Sequence, residues 1–171
     1  MSARWPEPVE RVAAYLRQEG VDARLEELHV GTATAEDAAR AAGCGLGQIV
    51  KSIVLYCDET PVLAMVPGDR RVDLDKVARA AGGEKARIAT APEVERVTGF
   101  EPGAVAPFPL PGVDRVLIDQ NLLSHDVVWI GAGSTRHVAA INPAALTRLA
   151  KAQPMDAAQD PAYHAGARGD A

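Results

Sequence analysis

A single lysine stands in the middle of an aliphatic stretch, Gly47-Gln48-Ile49-Val50-Lys51-Ser52-Ile53-Val54-Leu55-Tyr56. The stretch is rich in β-branched residues and follows a glycine-studded turn, so it reads as a buried strand. Side chains alternate across a strand. Lys51 therefore shares a face with Ile49, Ile53 and Leu55, and Ser52 joins Val50, Val54 and Tyr56 on the other. An ammonium among aliphatic neighbours must reach solvent, find a partner or accept a lowered pKa. Two readings follow. Lys51 is either an edge-strand lysine that discourages aggregation, or the floor of a pocket for an anionic or carbonyl-bearing ligand.

Two further stretches could wall such a pocket. Gly99 to Gly112 carries Pro102, Pro107, Pro109 and Pro111 among apolar residues. A loop of that length inside a compact domain is functional or disordered, and this composition is that of a stiff, ordered wall. Gly103 permits close backbone approach, and neighbouring N–H groups could point at an oxyanion; the plainer alternative is a proline-rich connection. Gly131-Ala132-Gly133-Ser134-Thr135 follows the apolar strand Val127 to Ile130 and exposes backbone donors and acceptors. It lacks the third glycine and following helix of a dinucleotide fingerprint, and the chain has no Walker motif.

The titratable groups add less. His29, His125, His137 and His164 do not fall at metal-ligand spacing, and only His137 lies next to a suspected wall. Ser134 is outside any nucleophile-elbow sequence. Asp119 ends a strand before Gln120-Asn121 and either faces the same cleft or caps the turn. Arg70 and Arg71 are candidates for phosphate contact, although arginines after a turn are commonplace. Cys44 and Cys57 show neither a metal spacing nor a disulfide framework and read as free thiols.

The elements that must position these groups are legible from periodicity and caps. Val9, Val12, Ala13 and Leu16 mark a helix closed by Gly20. A strand is expected over Val21–Val30. Thr34 opens an alanine-rich helix to Ala42 with the signature of a capping box. The central strand turns at Asp58–Pro61 into Val62–Val66. A helix over Leu74–Ala81, a strand over Lys85–Ala89 and a helix from Thr90 to Thr98 precede the long loop. Strands over Val113–Asp119, Val127–Ala132 and His137–Ile141 and a helix from Pro143 to about Lys151 complete the domain. Strands joined by tight turns, without a regular βαβ rhythm, imply antiparallel neighbours. The fold class is α+β, a single domain whose curved, mixed, largely antiparallel, barrel-like sheet is surrounded by helices. The domain is expected over 1–153, with its core at 31–151 and a frayed tail at 154–171.

The chain of 171 residues, 47% hydrophobic and 4% aromatic, can bury one core built from Val, Ile, Leu and Ala. Its net charge of −5 argues against a broad nucleic-acid-gripping surface but leaves room for a small basic patch at one RNA end. All basic residues except Lys51, Lys76, Lys85 and Lys151 are arginine, the better fork for phosphate oxygens. No signal pattern or membrane-length run is present. The expectation is a cytoplasmic protein, not membrane-bound and monomeric by default.

In their order and spacing, Gly47-Gln48-Ile49-Val50-Lys51-Ser52, Thr98-Gly99-Phe100 leading to Gly103-Ala104-Val105-Ala106-Pro107-Phe108, Val116-Leu117-Ile118-Asp119 and Gly131-Ala132-Gly133-Ser134 before the Asn142-Pro143 helix resemble the YbaK/prolyl-tRNA synthetase-associated editing-domain family. The resemblance spans roughly Thr34 to Lys151. It implies a free-standing deacylase that hydrolyses the ester of mischarged aminoacyl-tRNA, typically the tRNA for proline carrying a small wrong amino acid. Partners would be the acceptor end of that tRNA and prolyl-tRNA synthetase.

By the same resemblance Lys51 orients the substrate near its ester and phosphate end, and Gly103 and Pro107 belong to the loop that lines the aminoacyl pocket. Gly131, Ala132, Gly133 and Ser134 help receive the amino acid. Lys51, Gly103 and Asp119 are the catalytic candidates. Ile49, Ser52, Met65, Gly99, Phe100, Pro107, Phe108 and His137 join the small-residue loop as substrate-binding candidates. The family implies no metal or cofactor, and a ribose hydroxyl assists the attacking water. Pro109 stands where the family carries glycine, which reshapes one wall. The rivals are a noncatalytic nucleotide- or aminoacyl-binding module and a small-molecule hydrolase or lyase unrelated to tRNA.

Overall fold

The computed structural model describes residues 5–29 and 34–160. Val30 of the first expected strand, residues 31–33 of the expected core and the tail from 161, with His164, lie outside the described residues.

The expected helices form where their caps and apolar stripes direct. Helix α1 (Glu7–Gln18) buries Val9, Val12, Ala13 and Leu16, with acidic residues in its first turn and Arg17 in its last. Helix α2 (Ala35–Ala42) is capped by Thr34, whose hydroxyl accepts the Asp37 N–H, and ends at left-handed Gly43. Strand β1 is Arg24–Glu27. After a short 3-10 turn, β2 (Val50–Cys57) and β3 (Thr60–Pro67) form a hairpin. Its two turn residues, Asp58 and Glu59, both have positive φ, as a tight hairpin turn with the right twist demands. The Asp58 carboxylate stabilises that turn by accepting the Glu84 and Lys85 N–H groups. Helix α3 (Leu74–Ala80), strand β4 (Ala86–Ile88) and helix α4 (Ala91–Thr98), with a reciprocal Thr90–Glu93 cap, follow. Beyond the long loop come β5 (Arg115–Asp119), β6 (Val128–Ser134), β7 (His137–Ile141), helix α5 (Pro143–Ala150) and β8 (Gln153–Met155).

These strands make two sheets, β1-β7-β6 and β4-β2-β3-β5-β8. Pairing is antiparallel except for β3–β5 and β5–β8. The expected barrel does not close. Among the described residues the sheets touch as strands only at a parallel bridge between Ile49 and Trp129, and β4 covers the outer edge of β2 only toward its far end.

The main core lies between the sheets. Val50, Val54, Met65 and Ile118 meet Val128, Ile130 and Ala139 there, with Phe100 and Phe108 of the long loop packed in. Alternation sends Leu55, Val62, Ala64 and Leu117 to the opposite face, under α3. On the outer face of the smaller sheet, Trp129, Val138 and Ala140 pack beneath Ala38 and Ala39 of α2.

Residues 154–160 depart from expectation. Instead of fraying, β8 pairs with β5 and the chain stays bonded through Gln159. The reason is tertiary: fully buried Asp119 accepts the Ala157 and Ala158 N–H groups, a partner that local sequence does not reveal. No helix among the described residues is long and apolar enough to cross a membrane.

Candidate functional site

The site arises where the two sheets part. Gly68 N–H donates to the Ile49 carbonyl from the β3 side, and Ala89 N–H donates to the Val54 carbonyl from the opposite side. Backbone groups of successive residues point to alternate edges of a strand. The N–H and C=O of Ser52 therefore face away from β3. Strand β4 covers that edge only from Leu55 onward, and the Ile49–Trp129 bridge covers only its start. A cavity of about 340 Å³ opens in the gap. Its floor is Ile49–Ile53, its far wall Trp129–Gly131, Ser134 and His137, and one flank Gly103 and Val105.

Lys51 is half-buried in this cavity, and its Nζ donates to the Arg70 carbonyl oxygen. Loss of hydration lowers its pKa, and the Glu36 and Asp69 carboxylates oppose that shift. An ammonium has three N–H donors, so two remain after the Arg70 carbonyl is served. Ser52 is the complementary feature. Its Oγ is sealed from solvent and has no hydrogen-bond partner. A buried hydroxyl left unpaired is costly, and a ligand atom reaches it only if the cavity floor shifts.

The glycine-bearing loops meet backbone to backbone. Gly103 has φ +83°, and Gly133 N–H donates to the Ala104 carbonyl at 3.1 Å. A Cβ on Gly131 would lie 2.7 Å from the Val105 carbonyl oxygen. Only glycine at 131 lets the loop approach β6 this closely.

At the end of β6 a register shift brings Ser134 opposite His137, with Ser134 Oγ 2.6 Å from His137 Nδ1. Ser134 Oγ also accepts the Arg136 N–H at 3.0 Å. His137 is only 5% exposed. Burial lowers its pKa, with Glu27 pulling the other way and Arg136 adding to the fall, so the ring is neutral at neutral pH.

Seven sequence-predicted residues thus converge: Ile49, Lys51, Ser52, Gly103, Gly131, Ser134 and His137. Asp119 does not. It is fully buried, and its carboxylate is spent on Asn121 N–H and Nδ2 and on the Ala157 and Ala158 N–H groups, which leaves it nothing with which to activate a water. Met65, Phe100 and Phe108 are core residues, because strand alternation and loop packing turn them inward. Gly99 is the left-handed cap of α4, against the Arg11 guanidinium. Pro107 lines a separate cavity with Tyr15 and Leu149. Ala132 is core, and Gly133 abuts the Pro8 carbonyl of α1.

Helix α2 was not anticipated as a wall. Thr34, Ala35 and Ala38 line the cavity, and only the run of small residues there could have signalled it. Trp129 and Val138 were missed because they read as ordinary strand positions. Among the described residues no group of three or more His, Cys, Asp or Glu could hold a metal ion.

The open two-sheet α+β fold is shared with a known crystal structure. That protein, a candidate trans-editing enzyme for prolyl tRNA synthetase, matches with a TM-score of 0.85 and 34% identity, covering 91% of this chain and 99% of the other. The chain belongs to the aminoacyl-tRNA editing domain family, which it matches over residues 29–149. Among its relatives is the multifunctional Ser/Thr-tRNA deacylase ProXp-y of Escherichia coli (strain K12), 29% identical over 147 residues, 83% of this chain and 87% of the relative. Another is the proline–tRNA ligase of Nitratidesulfovibrio vulgaris (strain DP4), 32% identical over 118 residues. That match spans 69% of this chain and 20% of the ligase.

Proposed function

We propose that this protein is a free-standing aminoacyl-tRNA deacylase. It hydrolyses, in trans, the ester joining a small wrong amino acid to the 3′ end of a tRNA, with the tRNA for proline as its principal substrate. The carrying observation is the convergence of Lys51, Ser52 and the Gly103 loop on one open-edged cavity. Its volume, about 340 Å³, lies at the lower end of small-ligand sites and suits an aminoacyl group with its sugar.

In the reaction a water adds to the ester carbonyl and the C–O bond to the ribose breaks. The products are the free amino acid and a tRNA with its terminal hydroxyl restored. Negative charge grows on the carbonyl oxygen in the transition state, and a fixed ammonium with preorganised backbone donors stabilises it. Lys51 supplies the ammonium, and the free edge of β2 with the Gly103 loop supplies the donors. His137 is neutral and tethered by Ser134, so it shapes the amino-acid end without adding a second positive charge. Holding water and ester in line provides the rest.

Selectivity by size is limited, since one methylene discriminates by about 1–3 kcal/mol; more than one small amino acid should be accepted. A chain of net charge −5 grips RNA weakly by itself. Delivery by prolyl-tRNA synthetase would offset that, and the monomer would act in the cytoplasm where charged tRNA is used. The test is a set of tRNAs charged with Ala, Ser, Cys, Thr and Pro, followed for time-dependent release of free amino acid. Release no faster than in buffer alone, with saturable binding, would make the protein a binding module instead.

A further inference from the structure

The bonds that hold the Lys51 ammonium lead away from the cavity. Its Nζ donates to the carbonyl of Arg70, in the turn between β3 and α3. That turn is fastened from behind by the C-terminal segment. Gln159 N–H donates to the Arg71 carbonyl at 2.8 Å, Val72 and Ala158 form an antiparallel bridge, and Asp73 N–H donates to the Ala157 carbonyl at 2.8 Å. The segment is fixed in its turn by Asp119, whose Oδ1 accepts Ala157 N–H at 2.8 Å and Ala158 N–H at 3.1 Å. Lys76 adds bonds from its Nζ to Asp156 Oδ2 at 2.8 Å and to the Ala158 carbonyl at 2.9 Å.

We propose that Gln153–Gln159 is a strap that positions Lys51: Asp119 grips the strap, the strap grips Arg71–Asp73, and the adjoining Arg70 carbonyl receives the ammonium. Asp119 is then a positioning residue acting at a distance, in place of the direct catalytic role its sequence context suggests. The proposal rests on the reading of Lys51 as the working cation.

Two observations favour it over a purely local role for Asp119. A carboxylate capping its own turn needs only the Asn121 N–H, and such caps sit at the surface. This one is 0% exposed, a costly state, and spends one whole oxygen on the strap. Moreover, the strap bonds to consecutive residues, Arg71, Val72 and Asp73, immediately after the one that holds the ammonium. A lysine on a flexible stem has no fixed geometry unless a partner provides it. Without a rigid Arg70 carbonyl, the ammonium swings toward solvent.

The test compares the full chain with Asp119→Asn, with a chain ending at Asp156, and with Lys76→Met. Asp119→Asn keeps the shape of the side chain but sets an amide against N–H donors. The first readout is amine footprinting by reductive methylation, quantified by peptide mass spectrometry, with exposed Lys85 and Lys151 as internal standards. In variants whose circular dichroism stays native, Lys51 methylation should rise severalfold while the standards hold. The second readout is deacylation, which should fall about tenfold as Lys51 is misplaced. In a Lys51→Ala background, Asp119→Asn should change the residual rate by less than about twofold, since one group acts through the other.

Unchanged Lys51 methylation in a folded variant, or activity losses that simply multiply, would overturn the strap. Should Asp119→Asn and the shortened chain fail to fold, Lys76→Met loosens the same segment from the surface and decides the matter by the same footprint. If no charged tRNA is deacylated by the unaltered protein, the functional reading fails alone, and the footprint still judges the strap.

Discussion

Ile49 and Trp129 pair in parallel at the point where the two sheets meet, and beyond that bridge no strand ladder among the described residues joins them. The cavity is the consequence. It lies in the gap that an open barrel leaves, so its backbone edge is unpaired and its lining comes from both sheets. A closed barrel would have spent the same N–H and C=O groups on strand pairing.

The first prediction concerns the ammonium. Lys51→Met keeps the aliphatic stem and removes a half-buried charge that is costly to desolvate. Stability in urea should stay within about 1 kcal/mol or rise. Deacylation should fall on the order of a hundredfold, the scale lost with one preorganised transition-state contact. Lys51→Arg should not restore the rate, because a planar fork does not fit a site holding a compact point charge. Near-normal release of amino acid by Lys51→Met would remove Lys51 from the chemistry, and by Lys51→Arg would show that the site accepts any cation.

Ser52→Ala separates stability from function. The hydroxyl has no partner in the folded chain, so deleting it should leave stability unchanged or raise it by up to about 1 kcal/mol. If the substrate satisfies that oxygen, KM should rise severalfold with kcat less affected. A variant equal to the parent in both constants would leave Ser52 as an unused floor residue.

Gly131→Ala is expected to damage the protein more than its size suggests. The new methyl would stand 2.7 Å from the Val105 carbonyl oxygen, a backbone atom that cannot swing aside. Stability should drop by roughly 1–3 kcal/mol as the loop is forced off β6. Gly103→Ala meets only the Thr135 methyl at 4.0 Å. Its cost comes from holding alanine at φ +83°, about 1–2 kcal/mol. Parallel urea melts should therefore show 131 to be limited by space and 103 by backbone angle.

His137 makes stability depend on pH. Burial holds its folded pKa below the ordinary imidazole value of about 6.5. As pH falls through that value, the unfolded chain takes up a proton that the folded chain refuses. The unfolded state thus binds more protons, and stability declines with falling pH until the folded ring is protonated as well. Above about pH 7 this group contributes no slope. His137→Gln should flatten the dependence below about pH 7 in urea melts at stepped pH. An unchanged slope would assign it to other groups.

Much of this protein is written locally. Thr34 and Thr90 start helices by accepting N–H groups three residues onward, and those caps were readable because the partners are neighbours in the chain. The strand that carries Lys51, and Gly103 as a point of close approach, followed from β-branched runs and from glycine's freedom, while the choice between an edge lysine and a pocket floor stayed open in the sequence. Whether a side chain two residues away reaches the cavity is another matter. Met65 and Phe108 sit in stretches as suggestive as that of Ser52, yet packing turned them into core.

The sequence by itself determined the elements up to α5 and the family, because periodicity, caps and spacing are properties of neighbours along one chain. Tertiary structure alone decided that the sheet stays open at Ile49–Trp129, that α2 walls the cavity, and that the Asp119 carboxylate is bonded to the Ala157 and Ala158 backbone. Each depends on a contact across long stretches of chain, such as Asp119 with Ala157. Such pairings are fixed by the simultaneous need to satisfy buried polar groups and fill the core. No window of residues carries that information.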